Sequence, residues 1–162
     1  GRFVQLRGRR CVSLGGTVTP EGLILTDNIP PWLRELMSRI GKPLNHALIN
    51  IYEPGEGILA HEDGPAYSPY AAILSLGSAS VFDFLDKPKK CVKEQFVLPV
   101  GSLLLFQEEA YSSVFHQFAA RREDVLEQRV NERLGSAIMM NDKVLQRGKR
   151  ISITLRHVRN FR

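Results

Sequence analysis

The sequence predicts a mainly β domain, a jelly-roll barrel or β-sandwich with one flanking α-helix. Two observations carry that prediction. One apolar stripe at helical spacing occurs near residue 30, and from residue 46 onward the apolar period falls to two. Seven short β-prone runs then follow, several of them separated by turn formers. Many short strands behind one helix favour a barrel or sandwich over a βαβ sheet, in which strands and helices would alternate.

Taken in order, residues 1–29 hold glycine pairs, short β-prone runs and a cluster of Arg2, Arg7, Arg9 and Arg10. They read either as a solvated loop or edge ribbon, or as a basic strip that touches phosphates. "NIPPWLRELMSRIGKP" is the clearest helix. Asn28 is a candidate cap, the prolines suit a first turn, and Gly41 suits the left-handed position past the end. Trp32, Leu33, Leu36, Met37 and Ile40 form its apolar stripe and are expected in the core, with substrate contact by Trp32 as the minor alternative. The strand candidates are "HALINIY", "YAAILSL", "ASVFDFL", "EQFVLPV", "SLLLFQ", "SSVFHQF" and "RISITLRHV". Residues 121–148 form a charged insertion, where Leu126, Val130 and Leu134 predict a short helix.

The 162 residues fit one domain, 1–162, large enough to bury a core without disulfides. Cys11 and Cys91 lie far apart and form no CxxC, so a reduced intracellular protein, cytoplasmic and nuclear, is expected. No apolar run is long enough to span a bilayer, and a monomer without membrane attachment is the expectation. The net charge of +5 favours polyanionic partners, because neutralising phosphates releases counterions. The chain opens at Gly1 with "GRFVQLRGRR", which reads as the interior of a longer sequence lacking its N-terminal segment.

"HEDGPAY" carries the chemistry. Residues i and i+2 of a strand share a face, so His61 and Asp63 can offer an imidazole and a carboxylate to one metal ion. Gly55, Gly57 and Gly64 permit a sharp approach and exit. His116, in the β-prone "YSSVFHQF", is the candidate third ligand. Two histidines and a carboxylate form a facial triad that leaves positions open on a ferrous ion; zinc is the alternative metal. His46 and His157 read as satisfied core histidines. Two strands supply further polar groups. In "ALINIY", Asn50 and Tyr52 share a face with Leu48; in "RISITLR", Arg150, Ser152, Thr154 and Arg156 share one face and Ile151, Ile153 and Leu155 the other. Such alternation describes either a surface strand or a barrel whose polar interior holds an anion, for which guanidinium is well suited.

The ordered combination NxY, HxD, H and RxSxTxR resembles the AlkB family of Fe(II)- and 2-oxoglutarate-dependent dioxygenases. "NIYEPGEGILAHEDGPAYSPYAAILSLGSASVFDF" is most similar to the branch formed by the sixth eukaryotic AlkB homologues, and "LRGRRCVSLGG" and "IPPWLRELM" fit that branch too. The resemblance covers nearly the whole chain and is densest over 28–85. It implies a double-stranded β-helix with the metal inside, and Fe(II), 2-oxoglutarate and O2 as cofactor and cosubstrates.

Carried over by position, the resemblance makes His61, Asp63 and His116 the iron ligands. Asn50 and Tyr52 would hydrogen-bond 2-oxoglutarate, Arg150 would pair with its far carboxylate, and Ser152 would assist. Arg156 would lie near the carboxylate at the metal end. The two arginines are roughly 20 Å apart along the strand and must lean inward to serve one small ligand. Arg10, Tyr67 and Tyr70 are the candidates for contacting a substrate nucleotide. The implied reaction is oxidative demethylation of alkylated DNA or RNA, serving repair, with release of formaldehyde and succinate. The alternatives are the same chemistry on a protein or small molecule, or a binding module without turnover. One departure bears on the substrate. Bacterial AlkB has acidic residues just after its HxD, whereas here "GPAY" follows and offers no charge to a cationic methylated base.

Overall fold

The computed structural model describes residues 2–26, 28–126 and 144–159. Its first strands are β1 (Val4–Leu6), β2 (Arg9–Leu14), β3 (Gly16–Thr19) and β4 (Gly22–Leu25), followed by helix α1 (Pro31–Arg39). Then come β5 (His46–Tyr52), β6 (Ile58–His61), β7 (Tyr70–Leu76), β8 (Ser80–Asp86), β9 (Val92–Leu98) and β10 (Leu103–Gln107). A single turn of helix, α2 (Glu109–Ser112), precedes β11 (Val114–Phe118), β12 (Glu123–Val125), β13 (Val144–Gln146) and β14 (Arg150–Arg156).

A six-stranded sheet runs β1-β2-β5-β14-β7-β10 and faces a four-stranded sheet, β6-β11-β8-β9. Neighbouring strands pair antiparallel, in keeping with the jelly roll or sandwich predicted by the period from residue 46 onward and with the double-stranded β-helix that the family resemblance implies. The period-two alternation sorts side chains onto the two faces of the larger sheet. Val12, Leu14, Ala47, Ala72, Ile153 and Leu155 point outward and are covered by Leu33 and Met37 of α1. Ala71, Ile73, Phe82, Phe84, Leu98, Leu104 and Phe106 fill the space between the sheets. Strand β14 lies between β5 and β7 and is buried on both sides, so its polar inward face is enclosed by protein.

Three expectations need correction. Asn28 does not cap α1: Pro30 occupies that position without a side-chain bond, Pro31 opens the helix, and the Asn28 amide instead bridges Gly15 N and Ser13 O. Gly41, with φ +73, does take the left-handed position after the last turn. Trp32 is 54% exposed while its neighbour Leu33 is fully buried, because it stands about 100° around the helix from Leu33, on the flank of the stripe. Finally, residues 123–125 are strand, not helix; they pair with 144–146 in a two-stranded ribbon. Val130 and Leu134, on which the predicted helix also depends, lie outside the described residues.

Candidate metal centre and cosubstrate pocket

Strand pairing brings the two histidines together. His61, at the end of β6, is the register partner of His116 on β11. Their rings are 4.4 Å apart between centroids. Gly57 permits this pairing to start, since a Cβ there would sit 2.3 Å from the Phe118 carbonyl oxygen. Asp63 follows two residues on, and one potential ligand atom from each of His61, Asp63 and His116 lies within 4.8 Å of the others.

Each of these side chains is prepared for a cation. The His61 Nδ1 lies 2.7 Å from the Leu59 carbonyl, which makes Nδ1 the protonated nitrogen and leaves the Nε2 lone pair free. Burial, ahead of the neighbouring His61 and Arg156 charges, drives the His116 pKa down to about 3, and burial also lowers that of His61. Both imidazoles are therefore neutral near pH 7 and can donate electron pairs. Phe82 stacks on His116 at 5.7 Å, and Phe106 tilts against it at 5.3 Å. The Asp63 carboxylate is held through Oδ1 by Arg156 Nη2 at 2.6 Å, while its Oδ2 and the His116 Nδ1 are buried without partners. A borderline cation such as Fe(II) fits this donor set of two neutral nitrogens and one carboxylate.

The adjoining cavity is lined by Asn50 and Tyr52 from β5, by Arg150, Ser152, Thr154 and Arg156 from β14, and by Phe118 from β11. The polar faces of β5 and β14 meet because Arg150 is in register with Tyr52, Ser152 with Asn50, and Arg156 with His46. Arg150 is 3% exposed; its Nη2 donates to Ser75 Oγ at 3.0 Å, its guanidinium lies over the Phe118 ring, and its buried Nε has no partner. Burial lowers its pKa to about 10, so it remains charged. A buried guanidinium with no carboxylate partner among the described residues is costly, and an anionic ligand would supply that counter-charge. The two arginines converge from opposite ends of one strand, with Arg156 reaching the metal end through Asp63. The carboxylates of 2-oxoglutarate fit this pattern.

The proposed substrate contacts divide. Tyr67 stays beside the Asp63–Arg156 pair, with the Arg156 guanidinium 4.9 Å from its ring. Tyr70 faces the helix side of the sheet, donates its hydroxyl to the Pro43 carbonyl at 2.7 Å and sits beside Lys42. Arg10 shares the helix-facing side with Val12 and Leu14, whereas Arg9 faces inward and donates from Nε to Asn50 Oδ1 at 3.0 Å. The alternation of "RRCVSL" contained this distinction: the arginine that shares parity with Val12 and Leu14 goes with the core side. His46 and His157 have hydroxyl partners in Ser13 and Ser68, at 2.7 and 2.8 Å.

Residues 23–156 match the family model described as the 2OG-Fe(II) oxygenase superfamily. The chain is 35% identical over 176 residues to the "Probable RNA/DNA demethylase ALKBH6" of Danio rerio, an alignment covering 97% of this chain and 74% of that protein. It is 38% identical over 118 residues to the tRNA (carboxymethyluridine(34)-5-O)-methyltransferase ALKBH8 of Mus musculus, covering 70% of this chain and 17% of the relative. The fold superimposes on the structure of OsALKBH1 with a TM-score of 0.59 at 15% identity, over 93% of this chain and 78% of the other. It also superimposes on a 2OG-Fe(II) oxygenase family oxidoreductase from Burkholderia pseudomallei, with a TM-score of 0.61 at 12% identity, over 98% and 72%.

Proposed function

The chain belongs to the 2OG-Fe(II) oxygenase superfamily, an enzyme class using Fe(II), 2-oxoglutarate and O2, and from that membership we propose that it oxidatively demethylates alkylated nucleic acid. The observation that carries the catalytic part is the meeting of His61, Asp63 and His116 beside a buried, uncompensated Arg150. The substrate class is supported by the likeness to a protein described as a probable RNA/DNA demethylase and by the net charge of +5.

In this reading His61, Asp63 and His116 hold the iron through one nitrogen, one carboxylate oxygen and one nitrogen. Arg150 pairs with the distal carboxylate of 2-oxoglutarate, with Tyr52 and Asn50 as hydrogen-bonding partners and Ser152 beside them. Arg156 orients Asp63 and adds positive charge at the metal end. When bound, the ferrous ion with 2-oxoglutarate and O2 supplies the oxidising chemistry that hydroxylates an N-methyl group, after which the hemiaminal loses formaldehyde. Phe82, Phe106 and Phe118 keep water away from that chemistry. A methylated base must leave its stack to enter, and Tyr67, which packs on Arg156, is the candidate to meet it. Cys11 and Cys91 are free thiols, which supports a reducing compartment, cytoplasmic or nuclear.

The decisive experiment is a mass-spectrometric screen of methylated oligonucleotides incubated with the Fe(II)-loaded protein and 2-oxoglutarate. Loss of a methyl group with matching succinate and formaldehyde is the expected result. Succinate formation driven by a peptide or small molecule, with every oligonucleotide unchanged, would overturn the substrate class. Asp63→Ala should abolish iron-dependent succinate formation with an unchanged circular dichroism spectrum; retained turnover would remove the ligand assignment. Binding to a methylated single strand should weaken steeply between 50 and 200 mM salt, by about tenfold or more if several phosphates are contacted.

A further inference from the structure

Strands β12 and β13 flank residues 127–143 and place Asp124 opposite Leu145, next to Arg147. Asp124 is fully buried. Its Oδ2 accepts from Val81 N on β8 at 3.1 Å and from Arg147 Nε at 2.6 Å, and its Oδ1 accepts from Arg147 Nη2. Arg147 is 7% exposed and also donates from Nη1 to the Ala119 carbonyl. A guanidinium gripped along its Nε–Nη2 edge by one carboxylate, and at Nη1 by a carbonyl, has its plane set by its partners.

That guanidinium lies over Phe118, with Cζ 4.2 Å from the ring centroid. Phe118 lines the cosubstrate cavity, with the Tyr52 ring 4.8 Å away and the Arg150 Cζ 4.7 Å from its centroid. Arg150 has few other restraints. Among the described residues it makes one side-chain hydrogen bond, to Ser75, and its buried Nε is unpaired. Its position therefore depends on the rings it rests against, above all Phe118.

We propose that Arg147, clamped by Asp124, is a positioning residue for the cosubstrate: it holds Phe118 where Arg150 rests and thereby sets the affinity for 2-oxoglutarate. This rests on the reading of Arg150 as the partner of the distal carboxylate. Arg147 does not touch the ligand; it acts through Phe118. The ribbon flanking 127–143 is in this way tied to the pocket.

The test is calorimetric titration of 2-oxoglutarate into the Mn(II)-loaded protein, comparing the wild type with two variants. Arg147→Lys keeps the charge and loses the planar fork. Arg147→Met combined with Asp124→Asn removes the pair at constant net charge and keeps an oxygen for Val81 N, while Arg121, which also meets Asp124 Oδ1 at 3.1 Å, retains Asp83. Each is expected to weaken 2-oxoglutarate binding about tenfold, the size of one well-placed cation–π contact. Mn(II) affinity in the absence of 2-oxoglutarate should not change. In an Arg150→Ala background, Arg147→Lys should have no further effect. A folded variant that binds 2-oxoglutarate as the wild type does, or one that loses Mn(II) affinity in parallel, would overturn the proposal. If the double variant does not fold, Arg147→Lys decides. Absence of 2-oxoglutarate binding by the wild type would instead remove the reading of the site on which the proposal rests.

Discussion

Two arginines on one strand have different partners, and the difference is measurable. Arg150 has no carboxylate near it among the described residues, whereas Arg156 is paired with Asp63 at 2.6 Å. In the proposed reading, removing Arg150 takes away the counter-charge for the ligand alone. Arg150→Ala should raise the 2-oxoglutarate KM by about 30-fold or more, since truncating one side of a buried charge pair costs at least about 2 kcal/mol. Metal affinity should be unaffected. Arg156→Ala should weaken the binding of both cosubstrate and metal, raising the 2-oxoglutarate KM and lowering metal affinity, because it also releases the Asp63 carboxylate from its orienting partner. A KM that does not move in Arg150→Ala would remove that arginine from the cosubstrate site. Arg9 joins this residue-scale picture as the inward-facing cation on β2, bonded to Asn50.

At the scale of elements, α1 covers the outer face of the larger sheet and the ribbon β12–β13 meets the smaller one. The helix is held by one side. Leu33 is fully buried against the sheet, whereas its neighbour Trp32 is mostly exposed. Leu33→Ala should therefore cost about 3 kcal/mol in urea unfolding. Trp32→Ala should stay within about 0.5 kcal/mol. Equal losses would mean that Trp32 is covered by something in solution. The β6–β11 pairing is the element that assembles the candidate metal centre, because it converts two distant histidines into register partners.

At the scale of the whole molecule, stability should depend on acidity through a buried imidazole. His46 is 2% exposed, and burial, reinforced by the Arg156 charge, lowers its pKa from 6.5 to about 4. The unfolded chain takes up this proton first as pH falls. The contribution is fully present above pH 6.5 and is lost as pH drops toward 4. The loss by pH 4.5 is on the order of 2–3 kcal/mol. In His46→Gln the fall in unfolding free energy between pH 7 and pH 4.5 should be smaller by that amount; an unchanged slope would mean that His46 is not buried neutral. No helix among the described residues is long and apolar enough to cross a membrane.

The strands from residue 46 onward were legible because a two-residue period states which side chains share a face, whatever the rest of the chain does. The same parity told that Asn50 stands with Tyr52, and that Arg150, Ser152, Thr154 and Arg156 stand together. Parity does not say whether a polar face looks at water or at a second sheet. That was decided by the enclosure of β14 between β5 and β7 and by the smaller sheet laid over it. The contacts of Arg9 with Asn50 and of Arg147 with Phe118 were not legible, since each joins residues far apart in the chain. The amino-acid order by itself determined local period, turns and the residue types able to hold iron and an anion. Only the packing of the sheets decided which of them meet, because burial and convergence are properties of three-dimensional neighbours and not of chain neighbours.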